Sequence, residues 1–180
     1  MTAQPIRTSF SRATTTVDFD DLYHAELPRV YNFFYYRFGN NQLAEDLTSE
    51  TFEKAWRYRE RYRSDIAAFS TWLFTIARRV AQDHYRKHRH SEIPLDEISN
   101  ISTSELTEDS IQQNADFARL SALLARLGDR ERELLALKYG AELTNRAIAR
   151  LIGLSESNVG VILHRTVRTL HSEWENDHER

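Results

Sequence analysis

Cysteine is absent from the 180 residues, so neither a disulfide framework nor a thiolate metal site is available, and the chain suits a reducing compartment. No apolar run approaches the roughly 18 residues that a membrane span needs. The N-terminus lacks the apolar core of a signal peptide. Also missing are a convincing metal-ligand cluster, a phosphate-binding glycine loop and a nucleophile–base pair; the seven histidines fall mostly in exposed, basic or terminal settings. The expectation is therefore a cytoplasmic protein without membrane insertion, catalytic residues, metal or cofactor.

What is present is helical and sharply divided in charge. Hydrophobic residues make up 41% of the chain, enough for a packed core, and the formal net charge is −3. That average conceals a basic stretch from Lys54 to Arg89, where only Glu60, Asp65 and Asp83 are acidic. From Ser91 to Ala115 there is no base, while Glu92, Asp96, Glu97, Glu105, Glu108 and Asp109 are acidic.

The stretch from Phe69 to His90 concentrates the functional signal. Phe69, Trp72, Leu73, Ile76, Ala77, Val80 and His84 recur at steps of three and four, which gathers them on one stripe of an α-helix. Arg78, Arg79, Gln82, Arg86, Lys87 and Arg89 are expected on the opposite face, as a row that can follow a phosphate backbone. Such a row also suits a solvated helix face. The nearby Tyr58, Tyr62, Trp72 and Tyr85 favour nucleic acid, because bases stack on aromatics interleaved with arginine.

In chain order, residues 1–17 read as a mobile tail. Asp18, Asp20 and Asp21 open a helix to about Phe38, which Pro28 should kink or divide near Leu27. Gly39-Asn40 ends it, and Asn41 can cap a second helix of about Gln42 to Arg59. That helix is acidic in its first half and basic at its end, as the helix dipole favours. An exposed acidic face for a basic protein partner is equally compatible with this pattern. Arg61 to Ile66 forms a loop before the Phe69 helix. Residues 91–115 read as an acidic linker between two domains.

Helical periodicity then returns. Leu120, Leu123, Leu124 and Leu127 suit one helix, and Leu134, Leu135, Leu137 and Tyr139 the next. Thr144 caps a short helix containing Ile148 and Ala149; Gly153 turns the chain; Ser155 caps a final helix carrying Val159, Ile162, Leu163, Val167 and Leu170. This is a helix-turn-helix pattern, with a small residue at the crossing and a buried valine at the base of the second helix. Asn158, His164 and Arg165 are the expected polar contacts, with Ser155, Ser157 and Arg168 beside them.

Two motifs in this order make the chain resemble sigma factors of the extracytoplasmic-function group within the sigma-70 family. Ala44 to Arg57 (AEDLTSETFEKAWR) is similar to the core-binding segment of region 2. Phe69 to Arg78 (FSTWLFTIAR) is similar to the promoter-melting segment, and the helix-turn-helix to region 4. The resemblance implies an all-α fold of two small domains: a three-to-four-helix region 2 over residues 18–90 and a region 4 over 116–174, with 175–180 as a tail. It implies that Asp46, Leu47, Glu50, Phe52 and Trp56 meet the clamp helices of the largest polymerase subunit. Arg61, Tyr62, Arg63, Ser64, Trp72, Arg78, Arg79, Gln82 and Arg86 would open the minus-ten element and capture a flipped base. Ser155, Ser157, Asn158, His164, Arg165 and Arg168 would read the minus-thirty-five element.

Core RNA polymerase, including the flap of its second-largest subunit, promoter DNA and an anti-sigma factor are the implied partners. Arg79 stands where the family often has asparagine, and Gly160 and Ile162 stand where bases are common in the recognition helix. Two other classes remain open: a helix-turn-helix regulator acting without polymerase, and a helical RNA-binding adaptor.

Overall fold

Asn40 has extended backbone, and its side-chain oxygen accepts from the Leu43 amide at 2.8 Å, satisfying one otherwise unpaired donor at the start of α2 (Asn41–Arg57). The cap thus falls one residue before the expected Asn41. The computed structural model describes residues 19–88 and 119–178. The N-terminal tail and the acidic linker expected from the sequence lie outside the described residues.

Helix α1 (Phe19–Phe38) runs through Pro28 without being divided. Pro28 is exposed, so water can take the carbonyl that the missing N–H leaves unpaired. After α2, a 3-10 turn (Arg59–Arg61) and an exposed loop lead into α3 (Phe69–His88). Val30, Phe33 and Phe34 of α1, Leu47 and Phe52 of α2, and Leu73 and Phe74 of α3 are buried together. The apolar stripe read from Phe69 onward is therefore the face that α3 turns inward.

The second module begins with helical residues 119–126 (α4), followed by α5 (Asp129–Leu135). Arg132 binds α4 to α5 by donating to the carbonyls of Leu124, Ala125 and Leu127 at 2.9, 2.5 and 3.1 Å. The periodic run Leu134 to Tyr139 does not remain one α-helix. It widens at Ala136–Gly140 into a π turn, in which the Ala141 amide reaches the Ala136 carbonyl at 2.8 Å. Helices α6 (Asn145–Ile152) and α7 (Glu156–His178) complete the module. Among the described residues there is no strand.

The two modules share a continuous apolar core. Leu134, Leu137, Ile148 and Val159 belong to the same buried cluster as Phe33 and Phe74. At about 25 cal/mol per Å² of apolar area removed from water, this continuity favours docking of the modules.

Candidate nucleic-acid interface

The basic end of the first module is organised by aromatic contacts. Tyr62 lies 5.3 Å from Trp72 and 5.4 Å from Phe69, ring centre to ring centre, and its hydroxyl donates to the Ala67 carbonyl at 3.2 Å. These contacts fold the loop onto the start of α3 and leave Trp72 half-buried. Outside the cluster, Arg59 lies 4.1 Å over the Trp56 ring, and Arg61 lies 5.1 Å over Tyr58. Arg61, Arg63, Ser64 and Ile66 are exposed along the loop. Ile66, at 73% exposure, is an apolar tip that the candidate contacts omitted; an isolated loop residue has no periodic signal to reveal it.

Helical geometry places Trp72, Arg79 and Arg86 on one line, two turns apart at each step, over about 21 Å. Arg79, Gln82 and Arg86 are exposed, so the chain offers a half-buried aromatic followed by a polar and cationic row. Arg86 also meets Asp83 at 3.0 Å. Arg78 departs from the expected face. It pairs with Glu133 at 2.9 Å, both side chains mostly buried, and donates to the Leu151 carbonyl. In this arrangement it joins the two modules and is not free for phosphate. Arg89 lies outside the described residues.

Loop cations are partly engaged as well. Arg63 donates to both Asp65 carboxylate oxygens, at 3.1 and 2.7 Å, and these hydrogen bonds hold the Asp65 carboxyl below its ordinary range. Because the folded value is the lower one, the pairing is intact above the ordinary aspartate range and is lost as pH falls through the depressed value. Asp65→Asn should release Arg63 and tighten single-strand binding about threefold at low salt, measured by anisotropy with a single-stranded DNA oligonucleotide. Unchanged affinity would take Arg63 out of the strand's path.

The helix-turn-helix forms as its residues dictate. The Thr144 hydroxyl accepts from the Ala147 amide at 3.2 Å, and the Ser155 hydroxyl from the Asn158 amide at 3.2 Å. Gly153 adopts φ 74°, a left-handed turn that a β-carbon disfavours, and Val159 is fully buried beneath it. Arg146 and Glu156 meet at 3.3 Å across the turn. Ser157, Asn158, His164, Arg165 and Arg168 are exposed on one arc of α7, and Ser155 is exposed while serving as the cap. Val161 shares that arc at 48% exposure and can contact a thymine methyl. His164 and Arg168 also border an open groove of about 430 Å³ shared with Lys138, Tyr139 and Asn145.

On α2, Asp46 and Trp56 are exposed and Glu50 is half-exposed; Asp46 and Glu50 lie one turn apart on one face, and Trp56 stands nearer the C-terminus on another. Glu50 receives Lys54 at 2.7 Å, and Glu53 receives Arg57 at 2.6 Å. Leu47 and Phe52 differ from the other three expected polymerase contacts: they are 4% and 5% exposed, and Phe52 packs edge-on to Tyr23 at 4.6 Å. Their place is the buried core against which α2 packs. Among the described residues, no group of three or more His, Asp or Glu side chains could hold a metal ion.

Fold and surface together define a two-module helical protein, with an aromatic-cationic helix on one module and a helix-turn-helix on the other. Residues 22–91 match the model for sigma-70 region 2, and residues 117–170 match that for sigma-70 region 4. The ECF RNA polymerase sigma factor BldN of Streptomyces coelicolor is 34% identical over 84% of this chain, which spans 58% of BldN's length. The RNA polymerase sigma factor YlaC of Bacillus subtilis is 30% identical over 81% of this chain and 86% of its own length. The fold is similar to that of RpoE of Bartonella quintana, solved in complex with the anti-sigma factor NepR. Its TM-score is 0.69 at 19% identity, covering 88% of this chain and 97% of that one. The chain belongs to the extracytoplasmic-function group of the sigma-70 family.

Proposed function

We propose that the protein is an initiation subunit of bacterial RNA polymerase, binding the core enzyme through α2, opening the minus-ten element with α3 and its preceding loop, and reading the minus-thirty-five element with α7. The observation that carries this reading is the alignment of Trp72, Arg79 and Arg86 on one module, in a chain whose other module presents a capped recognition helix. Separating a base pair costs a few kcal/mol, and stacking an extruded base on an aromatic returns about 1–3 kcal/mol. The cationic line can hold the displaced strand while the duplex stays anchored at α7. No covalent step is required of this chain; the polymerase supplies the chemistry, in the cytoplasm.

The working modules are taken as residues 18–90 and 116–174, with 91–115 as the tether, a division supported by the matches over residues 22–91 and 117–170. No helix among the described residues is long and apolar enough to cross a membrane. An anti-sigma factor is a further proposed partner, supported by the complex in which RpoE was solved.

Charge reversal at exposed Asp46 leaves the core of the first module untouched. Asp46→Lys should weaken binding to core polymerase about tenfold in equilibrium titrations, with no change in thermal midpoint. Unchanged affinity would remove α2 from the proposed polymerase interface.

A further inference from the structure

The loop between α2 and α3 closes in a turn that carries an isoleucine outward. Ile66 is 73% exposed, more than Trp56, Tyr58, Tyr139, Val161 or Val167, the other large apolar side chains that face solvent among the described residues. A single exposed isoleucine is ordinary on a protein surface. Ile66 differs in how firmly its position is held. The Ile66 and Ala67 amides donate to the Arg63 carbonyl at 3.1 and 3.3 Å, closing the turn from within. Arg63 also donates twice to the Asp65 carboxylate, and the Tyr62 hydroxyl donates to the Ala67 carbonyl at 3.2 Å. Because the Tyr62 ring packs against Phe69 and Trp72, the turn is fixed to the start of α3 while its aliphatic tip stays in water.

The surroundings of this tip are cationic. Arg61 and Arg63 are exposed on the same loop, and Arg61 lies over the Tyr58 ring. Arginines beside an aliphatic tip suit duplex DNA: the cations meet phosphates, and the apolar group can enter between bases. Isoleucine is among the side chains that proteins drive between base steps, partly unstacking them and kinking the helix. Neighbouring bases stack about 3.4 Å apart, and an aliphatic group fills about 3.5–4.0 Å, so one isoleucine occupies one opened step.

We propose that Ile66 is a wedge that enters the paired minus-ten element and begins strand separation, after which Trp72 receives the extruded base. The proposal rests on the initiation reading and divides the opening step between two residues. Ile66 acts on DNA that is still paired, and Trp72 acts on a base that has left the stack. The wedge is therefore dispensable once the strands are already apart.

A start site mapped with the unmodified full chain and bacterial core polymerase supplies two templates: the fully paired promoter, and the same promoter mismatched across the minus-ten element. Ile66→Ser should slow open-complex formation about tenfold on the paired template and less than about twofold on the mismatched one, since only the first requires a step to be unstacked. Its thermal midpoint should match that of the unmodified chain, because the side chain is mostly in solvent. Ile66→Leu keeps the aliphatic volume and should retain most of the rate on both templates. Trp72→Ala should show the contrasting pattern, with a defect that persists on the mismatched template.

Equal loss on both templates would make Ile66 a strand or polymerase contact and overturn the wedge. Opening of the paired template by Ile66→Ser at the unmodified rate would overturn it too, as would a fall in thermal midpoint large enough to account for the loss. If the unmodified chain directs no specific start over a promoter library, the initiation reading fails and the wedge falls with it. If the unmodified chain does direct such starts and Ile66→Ser matches it, the wedge alone fails.

Discussion

Trp72→Ala should reduce open-complex formation about tenfold to a hundredfold while changing binding to closed duplex less than about threefold, since stacking contributes about 1–3 kcal/mol per base and 1.4 kcal/mol corresponds to tenfold. The expectation follows from the position of the ring. Trp72 is half-buried, with Tyr62 and Phe69 on its inner side and the line of Arg79 and Arg86 extending beyond it. Truncation also removes packing, at a cost of about 2 kcal/mol for a partly buried aromatic. Trp72→Phe should retain most of that packing and part of the stacking. Measured by base-analogue fluorescence at the minus-ten element, the alanine variant should bind and fail to open. Equal loss of closed and open complexes, with a matching loss of thermal stability, would assign Trp72 to packing alone.

Phe74→Ala should destabilise the chain by about 3–5 kcal/mol, the range for emptying a fully buried aromatic site. Phe74 is 0% exposed, its ring lies 5.8 Å edge-on from Phe33, and the Arg29 guanidinium lies 5.8 Å from its centre. The cavity would open between α1 and α3, beside Phe33. Against a typical total stability of about 5–15 kcal/mol, this is a large fraction. Urea titration followed by far-ultraviolet circular dichroism measures it. A loss below about 1 kcal/mol would contradict the packing of α1 on α3.

Where structure depends on neighbours in the chain, the sequence was readable. Thr144, Gly153, Ser155 and Val159 encode caps, turn and anchor within a short span, and each performs that role. The Phe69 stripe likewise identifies the inward face of α3, because helical spacing alone sorts apolar from polar positions. Leu47 and Phe52 show the limit of that signal: a buried position and a partner-binding position have the same apolar character. Arg78 shows another. Its partner Glu133 is 55 residues away, and no local period connects them. The π turn at Ala136–Gly140 has no local signal either; within it, a β-carbon on Gly140 would stand 2.8–2.9 Å from the backbone of Asn32 and Phe33 in α1, residues more than 100 positions away.

The central claim is that this chain gives core polymerase its promoter choice. Mapping transcript starts over a promoter library, with bacterial core polymerase alone and with the purified protein added, tests it most directly. Discrete new starts, each downstream of a shared pair of elements and lost with Trp72→Ala, are the predicted result. The same starts with and without the protein, despite demonstrated binding to the core, would contradict it.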